Sequence, residues 1–101
     1  MILVYITCKN AKEAERISKY LISKKLAACT NIFPIKSMYR WKGRLCSEKE
    51  TVLIAKTKNN KYNAIKREVK KIHSYEIPCI MKINVGINTE YGAWVNREVK
   101  R

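Results

Sequence analysis

The sequence predicts a single ferredoxin-like α+β domain over residues 1–101, βαββαβ with an added C-terminal helix, built on a long central hairpin. Three observations predict it. Apolar runs and helical periodicities follow one another as strand, helix, strand, strand, helix, strand and helix. Two extended arms of about 15 residues flank one tight reversal at Trp41-Lys42-Gly43-Arg44. Right-handed crossovers then place both main helices on one face of a four-stranded antiparallel sheet.

The first strand is Ile2-Leu3-Val4-Tyr5-Ile6-Thr7-Cys8, an almost unbroken apolar run that suits a central position. Asn10 is placed to cap the next helix, with Glu13 three residues on as the capping-box acid. That helix aligns Ala14, Ile17, Leu21 and Ile22 on one stripe and ends at Lys24-Lys25, which suit the negative end of its dipole. The stretch from Leu26 to Thr57 supplies the hairpin. Gly43 provides the positive φ of a two-residue turn, and Pro34, which cannot donate to a ladder, marks an edge or a bend in the first arm. Asn59 or Asn60 caps the second helix, whose stripe is Tyr62, Ile65, Val69 and Ile72. Tyr75-Glu76-Ile77-Pro78 leads as a loop into a last strand over 79–85, and Thr89 is placed to cap a helix with Tyr91, Trp94, Val95 and Val99 on its apolar side. Arms of this length exceed the ordinary strand, and a small domain has no sheet to lay beneath them. Their excess is expected to pair with further copies of the same chain.

The chain has no Asp; 22 Lys+Arg stand against 8 Glu, a net charge of +14. Sixteen of the basic residues are Lys, spread from Lys9 to Lys100, which describes a solvated surface better than a polyanion groove. Cys8, Cys29, Cys46 and Cys79 form no C-x-x-C pair, and no apolar stretch reaches a membrane-spanning length, so reduced thiols, no membrane contact and a cytoplasmic location are expected.

Lys25-Leu26-Ala27-Ala28-Cys29 with Asn31-Ile32, Tyr39-Arg40-Trp41-Lys42-Gly43, Lys56-Thr57, His73-Ser74-Tyr75-Glu76-Ile77-Pro78, and Tyr91 with Trp94 together resemble the CutA family across essentially the whole chain. The resemblance implies a ferredoxin-like subunit in a compact homotrimer, a cytoplasmic location, a part in tolerance of copper and other divalent cations, and kinship in shape with PII-type signalling trimers.

Two constellations follow. His73, the only histidine, is the first candidate for a copper or other divalent-cation ligand, helped by Glu76 or by one of Cys8, Cys29 and Cys79. Beside that stands a plainer reading, a helix-terminal His73 and cysteines that serve as small buried apolar residues. Trp41, Lys56, Tyr75 and Glu76 form the second group, a cleft between subunits for a small anionic or zwitterionic ligand. The competing reading makes Trp41 an interface anchor and pairs Lys56 with Glu76. No catalytic motif and no phosphate-cradling loop occurs, so a non-enzymatic protein is expected. A specific nucleic-acid partner is not expected either, because the third strand, Thr51-Val52-Leu53-Ile54-Ala55, carries no base-stacking aromatics.

Overall fold

A computed structural model describes every residue from Met1 to Arg101. Strands β1 (Ile2–Cys8), β2 (Cys29–Trp41), β3 (Arg44–Thr57) and β4 (Ile80–Asn84) form one antiparallel sheet in the order β2-β3-β1-β4. Helices α1 (Ala11–Ser23), α2 (Tyr62–Ile72) and α3 (Thr89–Glu98) complete the expected order.

The strict alternation along β1 divides the sheet into two faces. Ile2, Val4, Ile6 and Cys8 are buried and pack in one cluster with Ala14, Ile17, Leu21, Ile65 and Val69 from α1 and α2. Leu3, Tyr5 and Thr7 point to the opposite, open face. The register carries this division across the sheet. Residues Lys56, Ile54 and Val52 of β3 lie opposite Leu3, Tyr5 and Thr7, and Cys29, Asn31 and Phe33 of β2 follow them.

The end of α1 departs from the simple electrostatic expectation. Leu26 N–H donates to the Leu21 carbonyl at 2.9 Å and Lys25 N–H to the Ile22 carbonyl at 3.0 Å. This is a Schellman closure with Lys25 at φ 57°, where glycine is usual. Leu26 and Leu21, both buried, close it with the expected apolar contact. At the start of α1, Asn10 Oδ1 accepts from Glu13 N–H at 2.9 Å as read from sequence. The Glu13 carboxylate reaches past Asn10 and accepts from Lys9 N–H at 2.9 Å. No side chain caps α2; a 3-10 turn over Asn59–Lys61 replaces the Asn cap.

The central hairpin is as long as its sequence implied. β2 and β3 pair without interruption from Cys29↔Lys56 to Trp41↔Arg44, while β1 accompanies β3 only from Thr57 back to Thr51. Pro34 faces Thr51, the last β3 residue with a partner on β1, and β2 is an edge strand, where a missing N–H leaves no gap in the sheet. Beyond that point residues 35–50 form a two-stranded ribbon, and the molecule measures 45 × 25 × 21 Å. The turn has Lys42 at φ 50° and Gly43 at φ 77°, the paired positive angles of a type I′ loop.

A Cβ added at Gly43 meets nothing within 4 Å, so its only penalty is the backbone angle. Gly43→Ala is expected to lower stability by about 1 kcal/mol, measured as a lower urea midpoint with an unchanged slope.

Candidate functional site

Two clusters meet at the loop between α2 and β4. The first lies under it. His73 caps α2, with its backbone N–H donating to the Val69 carbonyl at 2.9 Å. Its ring bridges two elements: Tyr75 N–H donates to Nδ1 at 3.0 Å, and Nε2 lies 2.8 Å from the Thr7 carbonyl. This pattern calls for the Nε2–H tautomer, which satisfies both bonds at once. Glu13, only 3% exposed, adds a second tie, its carboxylate accepting from Lys9 N–H and from Ser74 N–H at 2.9 Å each. Burial pushes the Glu13 carboxyl up, but the N–H groups of Lys9 and Ser74 outweigh it and hold the group below its ordinary 4.5. Cys8 sits beside the pair, fully buried, its thiol pushed up to about 12 by desolvation and by Glu13.

Donor atoms of Cys8, Glu13 and His73 lie within 4.8 Å of one another, the one such trio in the molecule. As it stands the trio does not fit a resident metal. Both imidazole nitrogens are engaged, both Glu13 oxygens accept hydrogen bonds, and the Cys8 thiol holds its proton. Its visible work is to fasten the 73–75 loop to β1 and α1.

The second cluster lies above the loop, on the open face of the sheet. A groove of about 710 Å³ runs between the root of the hairpin and residues 74–79. Tyr5, Tyr39, Trp41 and Tyr75 supply aromatic walls, with Ile35, Met38 and Ile77 between them. Glu48, Glu50 and Glu76 supply charge. Alternation along β3 explains the first two carboxylates, since residues 48 and 50 share the face of Val52 and Ile54. The Tyr75 hydroxyl donates to Glu50 Oε2, which ties the loop to the hairpin. Burial raises the Tyr75 phenol above the usual tyrosine range, and Glu50 adds to it; burial and the neighbouring Glu48 raise Tyr39 in the same way.

The structure sorts the sequence candidates accordingly. It unites Trp41, Tyr75, Glu76 and Cys79 on the groove and places His73 and Cys8 in the latch beneath. Lys56 belongs to neither. It faces Leu3 and Cys29 at the far end of the open face, where its ammonium stands 5.3 Å from the Tyr91 ring centroid. No Lys56–Glu76 ion pair forms within the single chain. Cys29 is likewise remote from His73, because it opens β2 opposite Lys56. Glu13 and Glu50 were missing from the sequence reading of the site; Glu13 was legible only as a cap, and Glu50 only through the face it shares with Glu48.

Glu13→Gln is expected to lower stability at pH 7 by about 2 kcal/mol, because one of the two backbone N–H bonds to the buried carboxylate is lost. A depressed carboxyl stabilises above its unfolded pKa and loses that contribution as pH falls through its folded pKa. The wild type should therefore lose stability below pH 4.5, and the variant should lose less. Urea denaturation at pH 7 and pH 3.5 measures both effects; an equal difference at the two pH values counts against the latch.

A family model described as CutA1 divalent ion tolerance protein matches residues 2–98. A divalent-cation tolerance protein CutA from Archaeoglobus fulgidus is 44% identical over 99 residues, covering 96% of each chain. One from Thermotoga maritima is 41% identical over 100 residues, covering 98% of this chain and 99% of the relative. Among solved structures, CutA1 from Pyrococcus horikoshii superposes with a TM-score of 0.96 at 32% identity over the whole of both chains. A PII-like protein CutA from Nostoc in apo form gives 0.91 at 30% identity, covering 99% of this chain and 98% of that one. Fold, length and sequence agree throughout, and the chain belongs to the CutA family of divalent-cation tolerance proteins.

Proposed function

We propose that this chain is a non-enzymatic binding protein that works as a cytoplasmic homotrimer and holds a small ligand in the groove between hairpin and Tyr75 loop. The observation that carries this reading is the open sheet face. Phe33, Met81 and Ile83 are 39%, 47% and 45% exposed there, beside a ribbon whose β3 strand has no partner on one side between Arg44 and Glu50. An apolar patch continuous with an unpaired edge is a surface that a second copy of the chain can cover and pair with. Threefold closure uses every such edge and leaves none for open-ended growth. The groove opens on this same face, so its ligand is held where subunits meet.

Tolerance of divalent cations gives a second reading, binding of copper, for which Cys8, Glu13 and His73 are the one trio of donor atoms close together. Copper entering there has to displace the thiol proton and at least one His73 hydrogen bond. Glu76 and Cys79 are the more accessible of the donors named from sequence, both being exposed on the groove.

Native mass spectrometry is expected to give three times the 11.8 kDa subunit mass, and Phe33→Glu, which puts a charge in the apolar patch, is expected to yield monomer. A wild-type monomer at micromolar concentration would remove the trimer. Copper titration separates the two readings. If the trio is a latch, His73→Ala loses thermal stability and keeps the wild-type copper affinity; a tenfold weaker affinity assigns the metal to His73.

A further inference from the structure

The pleat of the sheet sorts charge between its two faces. Along the chain the basic residues are spread from Lys9 to Lys100, but the register separates them. Lys36, Arg40, Lys49 and Lys82 share the face of Ile6 and Leu53, against which α1 and α2 pack, and no acidic strand residue shares it. Arg44 and Lys56 share the open face with Glu48 and Glu50. The helices add to the first side, where α1 and α2 carry seven basic residues against three glutamates. Two of those glutamates are already engaged. Glu13 is buried under the 73–75 loop, and Glu68 sits in the seam between the helices, accepting from Tyr20, Arg67 and Lys71. Glu15 alone is left exposed with no basic side chain against it.

Two features show that this side lacks counter-charge. Lys36 stands directly opposite Lys49 in the β2–β3 ladder, an arrangement that repels unless an anion lies over the two. Lys66 and Lys82 both lie against one ring, their ammoniums 5.4 and 5.5 Å from the Tyr62 centroid, so a tyrosine takes the place of a carboxylate. The helix-bearing side is turned away from the open face. It therefore stays outside whether the chain is alone or assembled through that face.

The distribution selects the kind of anion. The cations lie on two helices and three strands of a molecule 45 Å long, too scattered to close on one small anion. A polymer with charges at short regular intervals meets many of them at once. The two helices expose a single large apolar side chain, Ile22, too little to enter a bilayer. Tyr20 and Tyr62 are half-buried with lysines against their rings, so no free aromatic face is offered to an unpaired base. A duplex held through its phosphates needs neither.

We infer that the helix-bearing side of this protein docks on the phosphate backbone of double-stranded nucleic acid, through Lys12, Lys19, Lys66 and Lys70, without reading sequence. The inference goes beyond the ligand groove and does not depend on it.

The test uses the intact protein and short fluorescent duplexes of DNA and of RNA, with a single strand of the same length and vesicles of anionic phospholipid as comparisons. Anisotropy is expected to show duplex binding that weakens about a hundredfold between about 50 and 200 mM salt, as neutralisation of about four phosphates dictates. Lys12→Glu with Lys70→Glu changes two exposed side chains that make no hydrogen bond or ion pair in the fold. This variant is expected to weaken duplex binding about tenfold or more. Arg97→Glu with Arg101→Glu removes the same charge from α3 and the tail behind it, and is expected to change the affinity less than about threefold. Equal losses in the two variants would show that net charge alone attracts the duplex, and would overturn the docking side. Binding of only one of the two duplexes supports the inference and names its source. A single strand bound more tightly than either duplex, vesicles bound in place of both, or no duplex binding at low salt overturns it.

Discussion

The constraint on which this structure depends is a mismatch of lengths. β1 has 7 residues and β3 has 14, so half of β3 leaves the shelter of the sheet with only β2 for company. A two-stranded ribbon alone is marginally stable in water, and three or more strands on an apolar support are the usual minimum. The ribbon therefore has to be held from elsewhere. Within the subunit one tie is visible, the Tyr75 hydroxyl on Glu50 at its root. The groove owes its existence to the overhang, since its far wall is the ribbon itself.

That root is in turn anchored from below. His73 and Glu13 fix Tyr75 and Ser74 by their backbone N–H groups, so the loop that carries Tyr75 and Glu76 is positioned by main-chain bonds. Latch and groove are thus two sides of one loop. A perturbation of His73 reaches the groove through Tyr75 without touching any ligand. His73 thereby fixes the loop that lines the groove.

The fold was legible because hydrophobic period is a property of short segments. The runs Ile2–Cys8 and Thr51–Ala55, the stripes of the helices and the Lys42-Gly43 turn each declare themselves locally. The site was legible only in part because distance along a strand is not carried by pattern. Lys56 and Glu50 share a face by alternation, but six residues of extended chain separate them by about 20 Å. Only pairing register shows that Lys56 ends up against Leu3 and Cys29. Glu13 was hidden for a different reason: a capping acid is ordinarily solvent-exposed, and burial beneath a distant loop leaves no local mark. His73 reads in the sequence as a candidate ligand, and the hydrogen bonds to Tyr75 and Thr7 that engage its ring nitrogens leave no local mark there.

The strand order has a bearing on biosynthesis. β1 lies between β3 and β4, so once made it finds no neighbour until residues 51–57 follow it and is not flanked on both sides until residues 80–84 are made. The hairpin, by contrast, closes on itself through a two-residue loop as soon as its arms are out. Nascent chains therefore pass through an interval in which a finished ribbon and an orphaned apolar N-terminal segment coexist. The dense positive charge of this polypeptide acts in that interval as a mutual repellent between neighbouring unfinished chains.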